Sequence, residues 1–124
     1  MTAALSRALA AGDAAAAAAL FTTDATFEDL TLHTTVVGQQ AIGGVLNRAA
    51  AMLPYGPGTS VRHVVGTAQG GGYEWANPGA TVPSGIVAFE LDAQARISGL
   101  TTVWDGSLVT DPALTAALQA TIEH

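Results

Sequence analysis

Four strand-like segments fill the second half of the chain, and only short turns separate them. They are "SVRHVVGTA" from Ser60, "GYEWA" from Gly72, "TVPSGIVAFEL" from Thr81 and "RISGLTTVWDG" from Arg96. The turns between them read "QGGG", "NPGA" and "DAQA". Runs of β-branched and aromatic residues, punctuated by Gly, Pro, Asn and Asp, predict strands joined by turns. Connections this short make neighbouring strands antiparallel, because a parallel pair needs a long crossover. Apolar residues fall on both strand parities, so the sheet is expected to bury both faces, one of them against helices.

The first half supplies those helices. "TAALSRALAA" (2–11) holds strong helix formers, with Leu5 and Leu9 one turn apart. Gly12 ends that helix, and Asp13 caps a second, "AAAAAALF", expected to run to about Thr22. "ATFEDLTLHTTVV" (25–37) alternates and predicts a strand. A third helix is expected over "QQAIGGVLNRAAAML" (39–53), weakened by Gly43 and Gly44, with "PYGPG" (54–58) as a loop. Asp111 and Pro112 would open a last helix over 112–124. No repeat or linker divides the 124 residues, which predicts one domain spanning 1–124. The class is α+β: helices packed on one face of a curved antiparallel sheet.

Charge narrows the function. The chain carries 49% hydrophobic and 11% charged residues, a net charge of −6 and only four basic side chains. Nucleic acid and anionic membranes are thereby disfavoured as partners, since both need clustered Lys and Arg. The absence of cysteine excludes thiolate nucleophiles and Cys-based metal sites. No His-x-x-x-His or carboxylate–histidine spacing suits a metal, so none is expected. No run of about eighteen apolar residues spans a membrane, and the alanine-rich start lacks a signal-peptide pattern. A soluble, cytoplasmic protein is expected.

The candidate chemistry centres on two adjacent carboxylates, Glu28 and Asp29. Strand alternation puts Phe27, Asp29 and Thr31 on one face, and Glu28 with Leu30 on the other. In a chain with so few charges, an acid beside Phe27 is expected near an apolar wall, which would raise its pKa by desolvation. His33 shares the parity of Asp29 but lies about 13 Å away along a straight strand, so contact would need a bend. His63 alternates with Arg62. Tyr73, Trp75 and Phe89 are candidates for a pocket wall or an interface, with ordinary packing as the competing role. Trp104 and Asp105 point to opposite faces of a regular strand, so only one should reach a pocket unless the strand bulges.

The segment "AGDAAAAAALFTTDATFED" resembles the N-terminal third of ketosteroid isomerases and their SnoaL-like relatives, within the nuclear transport factor 2-like superfamily. The shared frame is "GD", a run of small residues, "ALF", "DAT" and an acidic pair, followed by Gly38, Ala41 and Ile42 without a gap. "VAFELDAQARISGLTTVWD" resembles the last hairpin of the same family. The resemblance implies a cone-shaped, cystatin-like α+β fold, with a bent sheet around the N-terminal helices and an apolar pocket open at one end. It also implies a homodimer through the outer sheet face and cofactor-independent chemistry on an apolar ketone, steroid-like molecule or polyketide. The fold also hosts non-catalytic binders, so it does not settle function.

Asp29 matches the isomerases' general base, which moves a proton between two carbons beside a carbonyl. The family's two oxyanion donors have no counterpart, because Leu5 and Val87 occupy their positions. Asp105 falls where SnoaL-like cyclases and epoxide-hydrolase-like enzymes carry a catalytic Asp, which keeps a cyclase or epoxide reading open. Trp104 matches a pocket Trp of some isomerases. The expected set is therefore Asp29, Asp105 and His33 for chemistry, with Phe27, Trp104, Tyr73, Trp75, His63 and Phe89 as substrate-binding side chains.

Overall fold

The computed structural model describes residues 1–49, 52–110, 112, 116, 119 and 120. The first helix, α1 (Thr2–Ala10), buries Leu5, Ala8 and Leu9, which recur at helical spacing on one face. Gly12 turns the chain with φ +67°, and Asp13 caps α2 (Ala14–Ala18) by accepting the Ala16 N–H at 3.0 Å.

Helix α2 is shorter than its alanine content predicts, because Phe21 already begins β1 (Phe21–Asp29) and is fully buried. The carbonyls of Ala18 and Phe21, freed by the early ending, both accept from Gln39 Nε2, at 2.9 and 3.1 Å. Gln39 opens α3 (Gln39–Ala49), whose Gly43 lets the two helices approach: a Cβ there would lie 3.2 Å from that of Ala18.

The single strand expected over 25–37 is instead a hairpin. Strand β1 ends at Asp29, residues 30–33 turn, and β2 (Thr34–Val37) pairs back antiparallel, with Asp29 opposite Thr34. His33 sits in the turn in a left-handed conformation, φ 55°. Alternation continues through the turn and conceals it, since no Gly or Pro marks it.

The remaining strands follow the expected order: β3 (Ser60–Thr67), β4 (Gly70–Ala76), β5 (Ser84–Leu91) and β6 (Ile97–Trp104). The Gly70–Gly72 run, expected as a turn, belongs to β4 and pairs with Glu90, Phe89 and Ala88. The expected helix over 112–124, with its Asp111 cap, falls largely outside the described residues.

One curved sheet results, in the order β2-β1-β6-β5-β4-β3. All neighbours are antiparallel except β1 and β6, which run parallel. The helices close over one face, where Leu5, Leu9, Ala17, Ile42 and Leu46 meet Phe21, Phe27, Trp75, Val87 and Leu100. The parallel pair matters for function: it brings the C-terminal ends of the first and last strands together, with Asp29 beside Thr102. No described helix is long and apolar enough to cross a membrane.

Candidate active site

Asp29 ends β1 on the inner face, in register with Phe27, and its side chain is fully buried. The turn that follows is built on the carboxylate itself: Oδ1 accepts the Leu32 N–H at 3.0 Å. The other oxygen, Oδ2, accepts from Tyr55 Oη and from Trp104 Nε1, both at 3.3 Å. Burial is the largest influence on this group and pushes its pKa above the ordinary carboxylate value. The N–H of Leu32, the Trp104 indole, the Tyr55 hydroxyl and the Thr31 N–H oppose that rise without cancelling it.

The donors come from distant parts of the chain. Trp104 ends β6, delivered beside Asp29 by the parallel pairing of β1 and β6. Thr31 locks that junction: its hydroxyl accepts the Trp104 N–H at 2.8 Å and donates to the Trp104 carbonyl at 2.6 Å. Gln119 Nε2 donates to the Leu32 carbonyl at 2.8 Å and holds the same turn from its far side. Tyr55 lies in the loop after α3, yet is almost wholly buried. Its phenol pKa is pushed well above the usual value, first by burial and then by the Asp29 charge.

Aromatic rings wall the acid. Phe21, Phe27, Tyr55 and Trp75 follow one another with centroids 6.5, 6.2 and 6.4 Å apart. Trp75, Gly85 and Trp104 form one cross-strand row on β4, β5 and β6. The Trp75 ring occupies the space that a side chain at Gly85 would need, and a Cβ there would also lie 3.0 Å from that of Trp104. Trp104 is also part of the wall of a depression of about 290 Å³, shared with Leu53, Pro54, Asn77, Val82 and Val109. Trp104 thus touches both that depression and the acid.

The structure brings together Asp29, Phe27, Trp75 and Trp104 from the expected set. Tyr73 and Phe89 are buried in the core but make none of the hydrogen bonds to Asp29. His33 is exposed in its turn, so the bend in "DLTLH" carries it outward instead of toward the acid. His63 is exposed on β3, where the register shifts between Arg62 and Val65, and its Nε2 lies 3.8 Å from the Glu74 carboxylate. Neither histidine joins the wall around Asp29.

Asp105 is likewise outside the site. It is exposed, accepts the Ser107 hydroxyl at 2.6 Å and the Ser107 N–H at 3.0 Å, and caps the 3₁₀ turn Gly106–Leu108. The Ser107 hydroxyl and then its N–H hold the Asp105 pKa below the ordinary value. Glu28 lies on the opposite parity, half-buried, with Thr101 Oγ1 at 3.5 Å. Leu5 and Val87 are buried and apolar, so neither supplies a donor. Among the described residues, no three His, Asp or Glu side chains are grouped to hold a metal ion.

Tyr55 and Gln119 are the residues that sequence reasoning missed. An aromatic residue between two prolines was a usable signal for Tyr55; nothing local marks Gln119.

No protein-family model matches the chain, and no curated protein matches it in sequence. Solved structures do match its fold. A SnoaL-like protein of unknown function from Burkholderia thailandensis superposes with a TM-score of 0.70 at 11% identity, over 85% of this chain and 92% of that one. A steroid delta-isomerase from Pseudomonas aeruginosa gives 0.67 at 16% identity, over 98% and 88%. A protein from Catenulispora acidiphila with a ketosteroid isomerase-like fold, solved with trimethylamine, gives 0.63 at 20% identity, over 82% of each. The chain therefore has the nuclear transport factor 2-like, cystatin-like fold, as the sequence resemblance predicts.

Proposed function

We propose that the protein is a cofactor-independent acid–base enzyme that acts on an apolar ketone, steroid-like or polyketide-like in size, with Asp29 as the base. The observation that carries this reading is a buried carboxyl group with a raised pKa, set among aromatic walls and beside a surface depression. A base of raised pKa matches a weakly acidic carbon better than an ordinary carboxylate does. The Asp29 carboxylate takes a proton from the carbon next to the carbonyl, and the released electron pair moves onto the oxygen as an enolate. Where a C=C bond lies β,γ to the carbonyl, the same carboxyl group returns that proton to the γ carbon, so the double bond moves into conjugation and nothing is consumed. In a saturated ketone the proton returns to the α carbon, and the outcome is exchange. Tyr55 and Trp104 aim the carboxylate and stabilise its charged form. The fold shared with a steroid delta-isomerase is compatible with this reading but does not carry it.

The test is proton exchange. Cyclic ketones in deuterated buffer should gain deuterium next to the carbonyl in the presence of the protein, and Asp29→Asn should stop that gain. Exchange that survives the substitution would remove Asp29 as the base.

A second reading, binding without turnover, is favoured by the occupancy of both Asp29 oxygens by donors of the protein itself. It predicts saturable ketone binding with no exchange. The cyclase or epoxide reading centred on Asp105 gains nothing from an exposed carboxylate engaged with Ser107.

We also propose that a second copy of the chain covers the outer sheet face. There Val65, Ile86 and Val103 are exposed at 70%, 45% and 43%; Gly72 and Ala88 continue the row of Val65, and Glu74, ion-paired with Arg62, lies opposite Ile86. Exposed apolar groups concentrated on one face favour association. Sedimentation equilibrium at micromolar concentration should give a dimer mass, and a monomer would overturn the assignment.

A further inference from the structure

We propose that Trp75 is the hydrogen-bond donor that receives the carbonyl oxygen of the substrate; this rests on the reading of Asp29 as base. An enolate formed in an apolar interior needs a donor at its oxygen. Leu5 and Val87 have none to offer, and the Tyr55 hydroxyl and Trp104 indole are already spent on Asp29.

Trp75 is different. It is 1% exposed, and among the described residues its Nε1–H has no acceptor. Buried indole donors are normally paired, because an unpaired one forfeits its bond to water. Phenylalanine would give the same wall without that cost. The ring is also held in place: it lies over Gly85, where any larger residue would displace it.

Its place in the site fits the role. The Trp75 ring centroid is 6.4 Å from that of Tyr55, and Tyr55 Oη is 3.3 Å from Asp29 Oδ2. The Tyr55 phenol thus lies against the Trp75 ring at one end and bonds the base at the other. Tyr55 is carried on the loop after α3, and its ring packs between those of Phe27 and Trp75. The ligand class is a compact, mostly apolar molecule with one acceptor oxygen.

The experiment compares 1-tetralone with tetralin, the same bicycle without its carbonyl, by calorimetric titration. Wild-type protein should prefer the ketone by about tenfold, the range expected for one hydrogen bond. Trp75→Phe should bring the preference close to one, with a melting temperature equal to or above that of wild type. The indole N–H signals of wild-type protein, assigned with Trp104→Phe, give a second readout that does not depend on how Trp75→Phe folds. The Trp75 signal should move downfield with 1-tetralone and stay in place with tetralin. A ketone preference that survives in Trp75→Phe, or a Trp75 signal indifferent to the ketone, overturns the donor while leaving Asp29 as the base. Failure of both probes to bind overturns the acid–base reading and the donor together.

Discussion

Two aspartates stand at neighbouring strand ends and behave in opposite ways. Asp29 ends β1, and Asp105 follows the last residue of β6, which runs parallel to it. One side chain turns inward, where burial drives its pKa up; the other stays in solvent, where Ser107 drives its pKa down. The difference comes from parity and partners. Asp29 shares its face with Phe27, whereas the inward position at the end of β6 is already taken by Trp104, so Asp105 falls outside. A carboxylate at such a strand end is buried where alternation turns it inward, and here an indole from the last strand meets it there.

The largest expected effect separates the two by activity. On a ketone that the wild-type protein turns over, Asp29→Asn should lower the chemical step about a hundredfold, the size typical of losing a general base. Asp105→Asn should leave the rate within about twofold, since an exposed carboxylate engaged with Ser107 stands away from the reacting proton. If the two results were exchanged, the base would be Asp105 and the buried acid a structural feature.

How far the sequence announced this arrangement depends on the range of the contacts. Strands β5 and β6 were legible because turn residues bound them, and the inward face of Asp29 followed from its alternation with Phe27. Alternation put Trp104 and Asp105 on opposite faces without choosing between them. The regular pairing of β5 with β6 from Gly85 to Val87 keeps them opposed, with the Trp104 indole on the side of Asp29. The β1–β2 turn was hidden because Asp29 makes it with its own carboxylate instead of with Gly or Pro. Alanine propensity overstated α2 because the burial of Phe21 outweighed it. The parallel pairing of β1 with β6 and the arrival of Tyr55 are long-range events that no local pattern encodes.

The second contrast is in pH dependence, isolated by subtracting a variant that cannot titrate. Asp29 has a folded pKa above its unfolded value. Its contribution to stability is therefore present in acid below the unfolded pKa and is lost as pH rises through the folded one. The stability of wild type minus that of Asp29→Asn should fall as pH rises across that window. Asp105 has a folded pKa below its unfolded value, so its contribution is present above the unfolded pKa and is lost as pH falls through the folded one. Wild type minus Asp105→Asn should then rise with pH, by less, because Asp105 is screened by solvent. Urea unfolding at a series of pH values reads both slopes. Slopes of the same sign would show that burial does not govern Asp29.

The smallest effect tests whether the C-terminal part of the chain reaches Asp29. Gln119 Nε2 donates to the Leu32 carbonyl, and the Leu32 N–H donates to Asp29 Oδ1, so a single residue, Leu32, links Gln119 to the acid. Gln119→Met keeps the length of the side chain and removes the donor. Losing one such bond should cost roughly 0.5–1.5 kcal/mol. The loosened turn should also hold its N–H less firmly on the carboxylate, so the Asp29 pKa should climb further above its ordinary value. Gln119→Lys restores a donor at similar reach and should bring the titration back toward wild type. The carboxyl carbon signals of isotope-labelled aspartates follow both groups at once. The Asp29 midpoint should move up in Gln119→Met and recover in Gln119→Lys, while that of Asp105, with no bond to this turn, stays fixed. An Asp29 midpoint unchanged in Gln119→Met would mean that the two bonds from Thr31 to Trp104 hold the turn by themselves.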